Sequence, residues 1–485
     1  MNSKQTISTL MVALSLALGG CAVGPDYHKP IIKVTPAFKE AKGWSKATPQ
    51  ETQSKGEWWA VYQDPILDQL LSQVQISNQN VAQYAAQYQK AQALIDQAHA
   101  SLYPSISANA GLTRSGTQSS TGNTYSANVA TSSWELDLWG KVRRGLEEYQ
   151  ASAQASEAEL ANITLSAQSS LAQDYFQVRV LDARIALYQQ SVQEYQRYLK
   201  VIENKYAVGS ESRATLAQAQ TQLESATSSM LDLTWQRAQL EHAMAILMGK
   251  TPAEFSLPVA SSLNLHLPTP PNIVPSQLLE RRPDIAYAER TVASANAAVG
   301  VAQAAYYPDI TLSASAGVSS SVLHNLMSLP SRTWSLGPSL STTLLDFGAT
   351  KAEVAQAQAS YDADVASYRQ TVLEAMGEVE DYLVQLATLS EEIAAQRRAT
   401  DAAKESARVT YNQYQAGMID YLDVASTQNT SLSQQQSLLS LLSTQQVASV
   451  QLIAALGGGW QGVTALPPVP GTGGEQPSVR KTPMN

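Results

Sequence analysis

Between Lys141 and Tyr206 the chain has no proline, and after Gly145 no glycine. An unbroken helix of about 65 residues would reach roughly 100 Å, far beyond the span of one globular core. A second proline-free run, with Gly377 as its one glycine, extends from about Ala349 to Tyr414. Each ends in the same kind of turn, Lys205 to Gln220 (KYAVGSESRATLAQAQ) and Tyr411 to Gln428 (YNQYQAGMIDYLDVASTQ). Gly209 and Gly417 can take the positive φ that closes a helix. Ser210 or Ser212 in one turn and Asp420 in the other stand where a returning helix needs its N-cap. Both stretches therefore predict helical hairpin tips, with returning helices from about Ser212 to Met248 and Asp420 to Leu456.

Other segments recur in the same order. Leu102-Tyr103-Pro104 is echoed by Tyr306-Tyr307-Pro308, and Asp137-Leu138-Trp139-Gly140 by Leu345-Asp346-Phe347-Gly348. One architectural unit used twice explains this order. Asp64-Pro65 opens a helix through Leu67, Leu70, Leu71 and Val74, and Asn78 or Asn80 caps another that reaches about Leu102. Pro283 opens its counterpart, which ends near Tyr306. In each half, helices of about 24 and 37 residues would together reach roughly 90 Å, enough to back one long partner.

Between the helices lie candidate strands. Ile106, Ala108, Ala110 and Leu112 alternate with Ser105, Ser107, Asn109 and Thr113, and Ile310 to Val318 alternates with Thr311 to Gly317. Arg114 to Asn123 reads as a polar loop. Tyr125, Ala127 and Val129 share one parity and Trp134, Leu136 and Leu138 the other, which predicts a bulge or an exit from the sheet. Trp334, Leu336, Leu340 and Leu344 form a fourth alternation, in which Pro338 costs a ladder hydrogen bond.

The first residues give an address. Lys4, the apolar run Ile7 to Leu18, and Leu18-Gly19-Gly20-Cys21 read as a lipoprotein signal, and Cys21 is the only cysteine of the chain. Cys21 would carry a covalent lipid such as palmitate. Ala22 follows it where an Asp would suggest retention in the inner membrane, so the expected location is the outer membrane of a Gram-negative bacterium. No later stretch has about 18 consecutive apolar residues, so a membrane would be crossed by strands. Four strands cannot close a barrel and an open edge cannot face lipid, so copies must associate. Two would give a filled eight-stranded barrel, three a twelve-stranded one with a pore. Ser, Thr and Asn would face the lumen, with Trp134, Trp139 and Trp334 near the interfaces.

The net charge of -9 argues against nucleic acid. The five histidines have no ligand spacing and no phosphate-binding loop occurs, so neither an enzyme nor a cofactor beyond the lipid on Cys21 is expected.

Taken together, Cys21, GEWWAVYQDPILDQL at 56–70, SLYP and AYYP, WELDLWGKVR at 134–143, ERRPDI at 280–285 and the two tips resemble the outer membrane factor family. These are the TolC-like export ducts, and the match is to the NodT- and OprM-like lipoprotein branch. The resemblance covers nearly the whole chain. It implies an α+β membrane protein: a homotrimer whose twelve-stranded β-barrel, four strands per chain, continues into a periplasmic α-helical barrel. It also implies a periplasmic adaptor, an inner-membrane transporter and a passive role as exit duct for small molecules. A duct for type I protein secretion, or a lipoprotein tether that does not conduct, is the alternative.

On this reading the segments are a signal (1–20), a lipidated extended arm (21–56), an equatorial segment (57–77), a helix (78–103), a β-hairpin (104–138) and a helical hairpin (139–250). Then follow a linker (251–283), a helix (284–307), a second β-hairpin (308–347), a second helical hairpin (348–456) and a disordered tail (457–485). The family narrows its closed tunnel with a hydrophobic ring and rings of Asp, a pattern that Leu422 and Asp423 match, flanked by Asp420 and Tyr421. A second acidic ring expected at Ser426 is missing. Val208, Gly209 and Ser210, with Ala416, Gly417 and Met418, match the tips that dock on the adaptor. Tyr206, Tyr414 and Tyr421 are placed to bond between helices, and Lys141, Arg143 and Arg144 to meet lipid headgroups or solvent.

Overall fold

The computed structural model describes residues 22–33, 35, 37–40, 57–260, 263, 265–268, 281–460, 462–466 and 469. The signal, Cys21, residues 41–56, part of the middle linker and most of the tail lie outside the described residues.

Among the described residues, seven α-helices of about four or more turns carry the chain: α1 (Pro65–Ser77), α2 (Gln79–Ala100), α3 (Lys141–Ala207), α4 (Arg213–Leu247), α5 (Pro283–Ala304), α6 (Ala349–Gln415) and α7 (Tyr421–Ala455). The two halves correspond in length: 22 residues for α2 and α5, 67 for α3 and α6, 35 for α4 and α7. The short helices are about two residues shorter than the sequence reading, because their last turns open into the caps. The expected starts hold at Asp64, whose carboxylate accepts from the Ile66 and Leu67 amides, and at Asn78, which accepts from Val81.

Side by side, the helices make a slab four deep. α3 packs along α2 and α4 on one side and along α5 and α7 on the other, while α6 packs against α5 and α7. α2 and α4 stack end to end: the Asn78 amide nitrogen donates to the Leu247 carbonyl at 2.7 Å. The second half repeats this joint with another side chain, since Arg282 donates to the Ala455 carbonyl at 3.1 Å where α5 meets α7. Each joint satisfies a carbonyl that the helix end would leave orphaned. Arg282 also pairs with Asp284 and Glu378, which explains the local RRPD sequence.

Two cores hold the slab. Trp58, Trp59, Tyr62, Leu67 and Leu71 pack on Leu171, Tyr175 and Phe176 of α3 and on Met244 and Met248. Ile285, Val292, Tyr368, Val372, Val379 and Leu452 form the other, with Phe38 of the arm inserted. α7 alone among the described helices is long and apolar enough by composition to cross a membrane. It lies packed along α3 and α6.

The sheet has strands β1 (Ile106–Gly116), β2 (Thr121–Thr131), β3 (Trp134–Glu135), β4 (Asp309–Ser320) and β5 (Arg332–Ser341). All pairings are antiparallel, in the order β1-β2-β4-β5, and the two residues of β3 pair with β4 where β2 has ended. The parity switch is thus an interruption at 132–133. The expected loop over Arg114–Asn123 is corrected: strand pairing runs to Gly116↔Thr121, leaving a turn at 117–120. Polar residues such as Arg114, Thr121 and Asn123 continue the strands past Leu112 and before Tyr125, so polarity did not mark a loop. Pro338 lies in β5, which pairs with β4 alone among the described strands, as an edge position tolerates.

Candidate functional site

At the ends of the long helices, far from the sheet, both tips close with one geometry. The Gly209 amide donates to the Tyr206 carbonyl and Ser210 to Lys205; Gly417 donates to Tyr414 and Met418 to Gln413. Gly209 and Gly417 sit at φ 77° and 71°. A Cβ there would touch nothing within 4 Å, so the backbone alone demands glycine. Val208, Ser210, Ala416 and Met418 surround these turns and are exposed. The returning helices start differently. Ser212 caps α4 through its hydroxyl, which accepts from Thr215, whereas the Asp420 side chain makes no cap bond and only its carbonyl accepts, from the Asp423 amide. The expectation that Asp420 caps α7 with its carboxylate is corrected to this extent.

Past the turn, Leu422 (59 % exposed) and Asp423 share an open face of α7 with Ser426. Tyr421 does not. It is 2 % exposed, and its hydroxyl donates to the Gln222 side-chain carbonyl of α4 at 3.0 Å. One residue's rotation on a helix turns the side chain about 100° away, which puts Tyr421 in the joint between the hairpins and off the open face of Leu422 and Asp423.

That joint is aromatic. Tyr421 and Tyr414 meet edge to face at 5.9 Å, Tyr198 and Tyr411 lie 5.0 Å apart, and Ile202, Ala219 and Val424 fill between them. Lys205 on α3 donates to the Tyr414 hydroxyl at 3.2 Å and lies over its ring, while that hydroxyl donates to Glu211. Further from the tip, Gln222 donates to Asn429 and Arg184 to Gln436. Burial pushes the Tyr421 hydroxyl well above its usual range. Tyr206 stays exposed and joins none of these bonds. Lys205, Gln222 and Glu211 escaped the sequence reading because single polar residues on a long helix carry no periodic signal.

At the other end, the registers place Ile106, Ala108, Ala110 and Leu112 on one face with Tyr125, Ala127, Val129, Ile310 to Val318 and Trp334 to Leu340. The opposite face carries Ser107, Asn109, Thr113, Thr124, Ser126, Asn128, Ser313, Ser315 and Ser335, with the acids Glu135 and Asp309 at its helix end. Trp134 and Trp139 lie at the helix end of the sheet, donating to the carbonyls of Leu102 and Pro308, and Trp334 lies toward the far end, 81 % exposed.

The base between sheet and helices is corrected from a surface to a buried clasp. Arg144 is 2 % exposed and donates to the Val23 and Gly24 carbonyls, Asp26 and Glu147. The arm lying across it is what removes it from solvent. Lys141 pairs with Glu135 and Asp309, and Arg143 with Asp137. The Asp137 carboxylate accepts from the Val142 and Arg143 amides, and Asp346 is held down to about 2 by the Thr350 side chain first and then by the Thr350 and Gly348 amides. The arm itself has no helix or strand where described, yet it is docked: Asn296 donates to Pro25, and the Lys39 and Glu40 amides donate to Glu380. The tail's first residues are likewise packed, with Thr464 bonded to Gln154 and Glu157. No group suited to a metal ion occurs among the described residues.

A family model described as "Outer membrane efflux protein" matches residues 70–250 and 274–458. The chain is 30 % identical over 470 residues to the toluene efflux pump outer membrane protein TtgC of Pseudomonas putida, covering 94 % of this chain and 96 % of that one. It is 27 % identical over 461 residues to the probable outer membrane lipoprotein SilC of Salmonella typhimurium, at 94 % and 99 % coverage. Among solved structures, the outer-membrane channel OprN superposes with a TM-score of 0.84 at 27 % identity, over 91 % of this chain and all of that one.

Proposed function

The chain belongs to the outer membrane efflux protein family, and on that premise we propose that it is the outer-membrane exit duct of an efflux pump, built from three copies. One observation carries the reading. The sheet has two unpaired edges, β1 and β5, and the flanks of the helical slab follow from those same edges, α2 with α4 from β1 and α6 from β5. A neighbouring copy therefore completes sheet and slab together. Three copies give twelve strands, whose hydroxyl-lined face encloses water while the aliphatic face meets lipid.

The hydroxyl-rich wall, charged only at its helix end, discriminates little, so selection and energy come from an inner-membrane transporter reached through a periplasmic adaptor on the exposed turns. Leu422 and Asp423 of each copy converge at the tunnel's end: the leucines exclude water, and the carboxylates repel one another and attract cations. The Tyr421–Gln222 and Lys205–Tyr414–Glu211 contacts hold the second hairpin against the first. Releasing them lets α6 and α7 swing outward and widen the ring. The lipid on Cys21 and the docked arm hold the duct at the membrane.

Single-channel conductance of the purified protein in planar bilayers tests the reading. The wild type conducts weakly with cation preference, Leu422→Ala enlarges the conductance, and Asp423→Ala lowers the cation preference. Absence of conductance in every variant, from assembled and folded protein, contradicts a duct and favours a tether.

A further inference from the structure

Charge is distributed unevenly over the sheet. In residues 106–131 and 310–341 the only charged side chains are Arg114 and Arg332. Both stand on the aliphatic face: Arg114 follows Ile106, Ala108, Ala110 and Leu112 in alternation, and Arg332 is opposite Val318 and leads into Trp334 and Leu336. Both lie at the end away from the helices, where β1 finishes and β5 starts, and both are exposed. The acids Glu135, Asp137, Asp309 and Asp346 all lie at the helix end.

β4 rises roughly 26 Å between Ile310 and Ser320 at a tilt of about 40°, close to the apolar band of an outer-membrane barrel. The two guanidiniums thus reach the outer headgroup level. Beside Arg332 the aliphatic face is hollowed. Small residues Ala108, Ala110, Ala127 and Ala316, walled by Trp334, leave a depression of about 680 Å³ with Arg332 at its rim. Next to it, the 321–331 loop exposes Leu323, Met327 and Leu329 while its hydroxyls are satisfied internally, Ser328 and Ser331 both donating to the Asn325 carbonyl. An apolar slot, apolar flanks and an unopposed cation at its outer rim complement an amphiphile with an anionic head.

We propose that this face binds a phosphate-bearing lipid of the outer leaflet, its acyl chain in the alanine-floored depression and its phosphate on Arg332. Arg114 of the adjoining copy completes the site. This rests on the closed-barrel reading, in which β5 of one copy adjoins β1 of the next, at a strand spacing of about 4.8 Å. The site thus straddles the seam between copies, and guanidiniums suit phosphate through paired donors.

The test uses full-length acylated protein in mild detergent, with lipid A, dephosphorylated lipid A and inorganic phosphate as probes and bound lipid read by native mass spectrometry. Wild type retains lipid A. Arg114→Gln/Arg332→Gln weakens retention by about tenfold or more, and the corresponding Lys pair keeps most of it. Ala316→Phe, which fills the slot without touching charge, also weakens it. Equal retention by the Gln pair, equal binding of dephosphorylated lipid A, or displacement by inorganic phosphate overturns the proposal. The mass of the assembly and its conductance report separately on the barrel: a conducting ring whose Gln pair still retains lipid A sinks this inference alone.

Discussion

Tyr421 and Leu422 are neighbours in sequence with opposite surroundings, one buried between the hairpins and bonded to Gln222, the other exposed on the face proposed to line the tunnel. Tyr421→Phe removes one buried hydrogen bond and leaves Gln222 short of a partner, at a cost of about 1 kcal/mol. Its conductance should rise while the wall stays unchanged, as recordings beside Leu422→Ala would show; a wild-type trace would place the lock elsewhere. Arg144 answers for the arm. Arg144→Ala removes the guanidinium from the Val23 and Gly24 carbonyls and from the partly exposed Asp26, at a cost of about 1–3 kcal/mol. Limited proteolysis should then cut between residues 22 and 40, and Arg144→Lys should not restore protection because an ammonium cannot reach the same spread of acceptors.

Asp174 on α3 is pushed up by burial from 3.8 to about 6. Between those values the folded chain holds a proton that the unfolded chain has released, so stability falls as pH rises through that window. Asp174→Asn should therefore raise the Tm at neutral pH, with the difference closing near pH 4. A constant difference across pH, read by thermal melts, would contradict the assignment.

The helices were the most legible elements. Their lengths follow from where Pro65, Pro283, Gly209 and Gly417 stand, since these residues act through backbone geometry that no packing overrides. Strand faces were legible too, because alternation is strict from Ile106 to Leu112 and from Ile310 to Val318. Strand ends were not: beyond Leu112 the outward positions become Arg114 and Gly116, and a polar residue at the barrel rim reads like one in a loop. Nor was the docking of the arm, since Gly24 seated on Gly300 and Phe38 in the core depend on contacts across hundreds of residues. At the second tip, the expectation that Tyr414 and Tyr421 bond between helices agrees with their contacts, whereas Tyr206 stays exposed and Tyr421, also read as flanking the narrowing, lies off the open face of Leu422 and Asp423.

At the level of the whole molecule, the proposed duct depends on how many copies close a ring. In the proposed ring, the contact that joins β5 of one copy to β1 of the next would also set helix α6 beside the next copy's α2 and α4. The curvature of that contact then sets the number of copies, and the number sets whether a pore exists. Cys21 is the sole native cysteine and is expected to be lipidated, so engineered pairs can report the seam cleanly. Cysteines placed in turn at Ser107, Asn109, Gly111 and Thr113 of β1, each combined with Ser335→Cys on β5, should include a register that oxidises across the seam. The account predicts a covalent ladder that stops at three chains and a closed trimer under full oxidation; a ladder ending at two, running past three, or absent in every register would contradict it.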